Sequence, residues 1–187
     1  MIDDTDVQLL QRIAGGDQRA LRQFYERFHG VVYHFSLRTV NNAADAAEVL
    51  NEVMLEVWRR AATFAGQSQV RTWLLSITRY KSVDLLRRKR PSEMLDESNL
   101  EDEASEEACP ASLAIELSQQ SEQVRQCLDR LKDGHRQVVY LTFFEELSYP
   151  EIAAIMDIPN GTVKTRMLHA KQQLLQCLRR LLGSASA

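Results

Sequence analysis

The apolar residues of this chain recur mainly at steps of three and four positions, the spacing that puts side chains on one face of an α-helix. No stretch shows the alternation of apolar and polar residues that is typical of strands. The pattern therefore predicts an all-α protein. Four helices are predicted in the first half, covering Val7 to Ala14, Gln18 to about Val40, Asp45 to near Phe64, and Thr72 to about Lys89.

The middle of the chain lacks any apolar period. Pro91 ends the fourth predicted helix, and residues 91–107 contain eight acidic residues and no basic one. A segment of low hydrophobicity and high charge cannot bury enough surface to offset its ordering entropy, so a flexible linker is predicted over 92–112. Helical periodicity returns over 113–132 and 134–146. The prediction is two small helical domains, 1–91 and 113–187, joined by an acidic linker.

The net charge of −3 indicates little about partners, but the distribution of charge does. Residues 71–90 contain seven basic residues and a single acidic one, and the tail from Asn160 contains five basic residues and no acid. Two basic segments separated by an acidic one favour two separate contacts with an anionic partner.

Residues 148–175 predict a helix-turn-helix. Ser148 and Glu151 match a capping box at the start of a short helix, and Pro159-Asn160-Gly161 is predicted to break it before a second helix begins. In that second helix every core-facing position is predicted to be small or apolar: Val163, Met167, Ala170 and Leu174. The remaining side chains offer hydrogen-bond donors and a leucine, which suit base edges in a major groove, with Arg166 and Lys171 beside them for phosphates.

Two segments of the first half carry candidate chemistry. One predicted helix places Glu48, Glu52 and Glu56 in an acidic row, which is either a solvated face or a binding face. Residues 71–90 combine aromatic side chains with a basic end, as stacking on unpaired bases and neutralising phosphates require. Trp73 is interpreted as a core residue.

These segments together resemble a known family. The stretch DAAEVLNEVMLEVWRRAATF followed by RTWLLSITRYKSVDLLRRKR resembles region 2 of sigma-70-type factors, and LSYPEIAAIMDIPNGTVKTRMLHAKQQL resembles region 4. With no bulky region between them, the chain is similar to the extracytoplasmic-function (ECF, group IV) sigma factors. The resemblance implies an RNA polymerase sigma factor that binds core polymerase at the β′ clamp and β flap, recognises promoter DNA and is controlled by an anti-sigma factor.

The resemblance also implies roles for single residues. Core polymerase would be bound by Glu48, Asn51, Glu52 and Leu55. The −10 element would be bound by Phe64, Gln67, Ser68, Arg71, Tyr80, Lys81, Asp84, Arg87 and Arg88. The −35 element would be bound by Thr162, Lys164, Thr165, Arg166, Leu168, His169 and Lys171. Asn51, Tyr80 and His169 differ from residues frequent in the family, which bears on the promoter sequence read.

Two alternatives stay open from the sequence. The chain could be a stand-alone regulator that binds an operator through its helix-turn-helix, or a helical adaptor that binds only proteins. The basic, aromatic segment 71–90 argues against the regulator, and the two basic segments argue against the adaptor. No catalytic constellation, cofactor motif or metal-ligand spacing is present, so we expect a protein that is not an enzyme, with no cofactor, no metal and no small-molecule substrate.

The cysteines and the chain start bear on location. Cys109, Cys127 and Cys177 are odd in number and far apart, so reduced thiols without a sensing role are expected. The acidic start is the reverse of a secretory signal, and no apolar run reaches the ~18 residues that span a bilayer. A cytoplasmic protein is expected.

Overall fold

The computed structural model describes residues 4–89 and 121–183, and within them it contains helices and no strand, which confirms the all-α prediction. The first range holds α1 (Asp4–Ala14), α2 (Gln18–Val40), α3 (Ala43–Arg60) and α4 (Val70–Lys89), with a 3-10 turn at Ala61–Thr63. The second range holds α5 (Ser121–Asp129), α6 (Asp133–Phe143), α7 (Tyr149–Met156) and α8 (Asn160–Gly183).

The described residues divide into two compact units, with 4–89 in the first and nearly all of 121–183 in the second. The linker predicted over 92–112 lies outside the described residues. None of the described helices is both long and apolar enough to cross a membrane.

The first unit is a bundle in which α2, α3 and α4 pack on one another and α1 covers one side. Its core includes Phe24 and Val32 of α2 and Leu10 of α1, each at most 1% exposed. An apolar stripe that runs along α3 into the following 3-10 turn is buried: Ala46, Leu50, Val53, Val57 and Ala61. Tyr25 lies on the outer side of α2 and is 40% exposed.

Helix α4 is buried although several of its inward positions are polar. Thr72, Thr78 and Ser82 are all at most 2% exposed. Thr78 Oγ1 donates to the Leu74 carbonyl at 2.8 Å, and Ser82 Oγ donates to the Thr78 carbonyl at 2.8 Å. Because the hydroxyls of Thr78 and Ser82 bond to carbonyls of their own helix, these buried polar atoms are satisfied, and the small side chains let the helices approach closely.

The ends of α2 and α3 follow from side-chain caps. Asp17 accepts hydrogen bonds from the backbone N–H groups of Arg19 and Ala20, as its position before α2 predicts. The helix predicted from Asp45 begins earlier, because Asn42 is the residue that accepts from the first-turn N–H groups. This leaves the Asp45 carboxylate available for a contact with α4.

The second unit contains the predicted helix-turn-helix in α7 and α8. Ser148 N–H donates to Glu151 at 2.9 Å, as in a capping box, and Val163, Met167, Ala170 and Leu174 are at most 2% exposed. The break was predicted at Pro159-Asn160-Gly161, but Asn160 and Gly161 already belong to α8. The turn lies earlier because Asp157 adopts a left-handed conformation, with φ 54°, and ends α7.

A disulfide joins α5 to α8 in this unit. Cys127 and Cys177 form the bond with their Cα atoms 5.8 Å apart, and Cys127 is 1% exposed. The expectation of reduced thiols was therefore wrong for these two residues. Their sequence separation of 50 gives no local sign of the pairing, which depends on how α5 packs against α8.

Breaking this disulfide is expected to destabilise the second unit. A cross-link between residues 50 positions apart restricts the unfolded chain, and the chain-entropy model assigns such a loop about 4 kcal/mol at 25 °C. Cys127→Ser, or a reductant, should lower the unfolding temperature followed by circular dichroism. Both tryptophans, Trp58 and Trp73, lie in the first unit, so tryptophan fluorescence should report an unchanged transition there. An unchanged dichroism transition, with Cys109→Ser as the control, would contradict a stabilising bond.

Candidate nucleic-acid interface

A set of interhelical ion pairs, here called the charge ladder, joins α3 to α4. Its carboxylates and cations are Asp45, Glu52, Glu56, Lys81, Arg88 and Lys89. Lys81 Nζ lies 3.4 Å from Glu56 and 3.8 Å from Glu52, and Arg88 Nη2 lies 3.3 Å from Glu52. The acidic row predicted on α3 is therefore divided: Glu52 and Glu56 face basic residues of the same unit, whereas Glu48 is exposed.

Basic residues of α4 differ in whether they pair with a carboxylate of the charge ladder. Lys81, Arg88 and Lys89 have carboxylate partners within the unit. Arg87 is exposed and has no ion pair among the described residues, and Tyr80 is 68% exposed. These two residues are seven positions apart, two helical turns, so they lie on the same face of α4. Asp84, one turn before Arg88, pairs with it at 3.3 Å.

The loop before α4 carries the other residues predicted for the −10 element. Phe64 is half-buried with its ring edge against Trp73, at a centroid distance of 5.5 Å. Trp73 packs beside the core, as interpreted from the sequence. Gln67 is exposed, and the half-buried Ser68 donates its hydroxyl to the Gln69 carbonyl. Arg71, half-buried at the start of α4, lies away from the exposed Tyr80 and Arg87 along the helix.

The outer side of α3 presents a continuous exposed stripe. Glu48, Asn51 and Leu55 follow at steps of three and four, and all three are exposed, with Leu55 at 47%. The stripe thus places one apolar side chain among polar ones on the solvent side of α3. Glu52 lies between Asn51 and Leu55 in sequence but turns towards α4 and the ladder.

Helix α8 presents its predicted DNA-reading residues with differing exposure. Lys164 is exposed, while Thr162, Thr165, Leu168, His169 and Lys171 are half-buried. Thr165 Oγ1 donates to the Gly161 carbonyl at 3.1 Å. These residues lie opposite the buried stripe that begins at Val163, as the period of the helix requires.

Arg166 lies elsewhere than expected. Its guanidinium packs against Gly134 at the start of α6, and Nη1 is buried without a hydrogen-bond partner among the described residues. A Cβ at position 134 would lie 2.7 Å from Nη1, so a larger residue there would displace the guanidinium from this position. Arg166 was expected beside the outward face, and its position against α6 makes it part of the packing between α6 and α8.

The structure adds His135, a residue that sequence reasoning missed. Its ring lies edge-on to His169 at a centroid distance of 5.9 Å. The pKa of His135 lies below its ordinary value of 6.5, chiefly because the ring is buried. The positive charges of His169, Arg166 and Lys132 lower this pKa further, whereas a hydrogen bond with Gln173 raises it. No motif links His135 to His169 across 34 positions, so only the packing of α6 on α8 reveals the pair. Among the described residues no cluster of side chains could hold a metal ion.

Comparisons with known proteins assign both units to one family. The family model for Sigma-70 region 2 matches residues 24–91, and the model for Sigma-70 region 4 matches residues 121–174. The ECF RNA polymerase sigma factor SigK of Mycobacterium tuberculosis H37Rv is 31% identical over 175 residues, which cover 91% of each chain. The RNA polymerase sigma-H factor of Pseudomonas aeruginosa PAO1 is 28% identical over 194 residues, covering 99% of this chain and all of that one.

Solved structures show the same fold. CnrH in complex with the cytosolic domain of CnrY is 26% identical, with a TM-score of 0.65 over 95% of this chain and 99% of that one. RpoE of Bartonella quintana, in complex with the anti-sigma factor NepR, is 21% identical, with a TM-score of 0.63 over 84% and 96%. The chain belongs to the sigma-70 family, in its ECF group. It is therefore an RNA polymerase sigma factor, which binds core polymerase and directs transcription initiation at promoter DNA.

His135 should make the stability of the second unit depend on pH. Its pKa is lower in the folded than in the unfolded chain, so the unfolded chain takes up the proton more readily as the pH falls below 6.5. The free energy of unfolding should therefore fall as the pH falls, with no contribution from this group at higher pH. Between pH 7 and pH 5, the free energy of unfolding measured with urea should fall less in the His135→Gln variant than in the wild type. The variant of the exposed His29, His29→Gln, should show the same fall as the wild type. Equal pH dependence in wild type and His135→Gln would refute this role.

Lys164 and Arg166 should affect DNA binding differently. Lys164 is exposed, so Lys164→Ala should flatten the salt dependence of −35 binding by ~0.9 log units per lost phosphate contact. Arg166→Ala should change the salt slope less and lower the unfolding midpoint of the second unit more, because the guanidinium packs on Gly134. The slope is measured with holoenzyme on duplex DNA from 50 to 200 mM salt. A larger slope change for Arg166→Ala would restore this residue to the phosphate contacts.

Proposed function

We propose that the two units divide the work of promoter recognition, with 1–91 acting on core polymerase and the −10 element and 113–187 on the −35 element. The observation that carries this proposal is the selective exposure of Tyr80, Arg87 and Lys164, together with the exposed stripe of α3. Residues 92–112 would connect the two functions. We also propose that the chain carries out no covalent chemistry, since recruitment and melting of the promoter need binding alone.

The polymerase contact is proposed at the exposed stripe of α3. Leu55 supplies an apolar centre, and Glu48 and Asn51 supply hydrogen-bonding groups beside it. This is the composition expected of a protein-binding patch with a polar rim. Glu52, which the resemblance places in the same contact, has its carboxylate in the charge ladder of the free protein.

The −10 contact is proposed around Tyr80 and Arg87 of α4. Tyr80 is the most exposed of the large hydrophobic side chains that the structure describes, and an exposed aromatic ring offers a stacking surface for an unpaired base. Arg87, without an ion pair, is available for a phosphate. Phe64, Gln67 and Ser68 of the preceding loop would contribute to the same strand.

The −35 contact is proposed on the outer face of α8. Lys164 and Lys171 would contact phosphates, while Thr165, Leu168 and His169 would face base edges in the major groove. Thr162, in the first turn, would lie near the DNA backbone. His135 beside His169 would border this face.

Control by an anti-sigma factor is part of the proposal. CnrH, at 26% identity and with nearly full coverage of both chains, is known in complex with the cytosolic domain of CnrY. That likeness supports a protein partner that competes with polymerase for this chain. The exposed leucine of α3 is a surface on which such competition would act.

Binding to sigma-free core polymerase tests the proposal. The purified chain should co-elute with core polymerase on size exclusion, and Leu55→Asp should weaken the affinity roughly ten- to a hundredfold, since a buried leucine contributes ~1.5–3 kcal/mol. Tyr25→Asp removes another exposed apolar side chain of the same unit and should bind normally. Clean separation of a folded, inhibitor-free wild type from core would favour an operator-binding regulator. Normal binding by Leu55→Asp would move the contact away from α3.

A further inference from the structure

We propose that Glu52 and Glu56 hold Lys81 and Arg88 away from nucleic acid in the free protein, so that part of the DNA-binding charge of α4 is masked until the charge ladder opens. This inference rests on the proposed −10 contact of α4. It assigns a function to the carboxylates of α3 that face the proposed DNA-binding residues of α4.

The geometry places Lys81 between two carboxylates. Its side chain is 21% exposed, and the facing side chains of Glu52 and Glu56 are 31% and 20% exposed. Arg88 is held by Glu52 from one side and by Asp84 of its own helix from the other. A strand that approaches the C-terminal half of α4 therefore meets Lys81, Arg88 and Lys89 already paired with carboxylates, whereas Arg87 has no ion pair among the described residues.

The ladder can open first at Arg88, whose side chain is 50% exposed. An exposed ion pair of this kind shifts an equilibrium only by about a factor of two to five, since water and salt screen it. A polyanion presents many phosphates at high local density, so it can displace the carboxylates when the strand is held nearby. Masking thus reduces unproductive binding of the free chain to nucleic acid without preventing contact at a promoter.

Glu52 also lies next to the proposed polymerase stripe. It follows Asn51 directly and precedes Leu55 by three residues on α3. A polymerase cation that attracts the Glu52 carboxylate would release Arg88 from its partner on α3 and would leave Lys81 paired with Glu56 alone. The same carboxylate would then couple polymerase binding to DNA binding, and such coupling is reciprocal.

The test measures binding of the free full-length chain to a fluorescent single-stranded oligonucleotide of mixed sequence, as a function of salt. The double variant Glu52→Gln with Glu56→Gln should bind several-fold more tightly at low salt. Its salt slope should steepen by ~0.7 for each cation that reaches a phosphate. Adding Lys81→Gln to this double variant should remove about one such contact from the slope.

The matched control is Glu26→Gln with Glu146→Gln, which removes two carboxylates outside the ladder. Helix content and tryptophan fluorescence establish that each variant is folded. An unchanged slope in the folded double variant would overturn the proposal, and so would a gain equal to that of the control or one that Lys81→Gln leaves undiminished. The assigned −10 contact is tested separately, by promoter melting with holoenzyme carrying Tyr80→Ala and Arg87→Ala, so the two failures remain distinguishable.

Discussion

The burial of α4 between α2 and α3 is the constraint on which the first unit depends. This helix carries a dense basic end, so it cannot contribute an apolar face along its whole length. Its inward positions alternate leucines with Thr78 and Ser82, whose hydroxyls bond to carbonyls of the same helix at 2.8 Å. Close packing therefore needs no polar partner from the neighbouring helices, and the unit of fewer than 90 residues obtains one continuous core.

That packing also determines which charges remain available. Because α3 lies against α4, Lys81, Arg88 and Lys89 meet carboxylates of α3, whereas Tyr80 and Arg87 point away from it. The proposed −10 surface consequently offers fewer unpaired cations than the basic composition of 71–90 suggests. The same contact leaves Glu48, Asn51 and Leu55 as the exposed side of α3, which is the proposed site for polymerase.

The core of the second unit is built differently from that of the first. Helices α5, α6 and α7 are short, and the core is formed by one stripe of the longer α8 and the side chains facing it. The disulfide between Cys127 and Cys177 fixes α5 to the C-terminal half of α8, beyond the residues proposed to read DNA. At the other end of the helix, Arg166 packs on Gly134 and His135 on His169, so α6 helps to position the proposed reading face.

The sequence by itself determined the helical class, the positions of most helices and their buried faces, because helical period and capping are local properties of the chain. The capping box of Ser148 with Glu151 and the stripe from Val163 to Leu174 are examples. It also carried enough of the family pattern to identify a sigma factor. The partners of individual charges could not be read from it, since Glu52 and Arg88 are 36 positions apart and meet only through helix packing. For the same reason the tertiary structure alone decided the Cys127–Cys177 bond, the inward position of Arg166 and the pairing of His135 with His169.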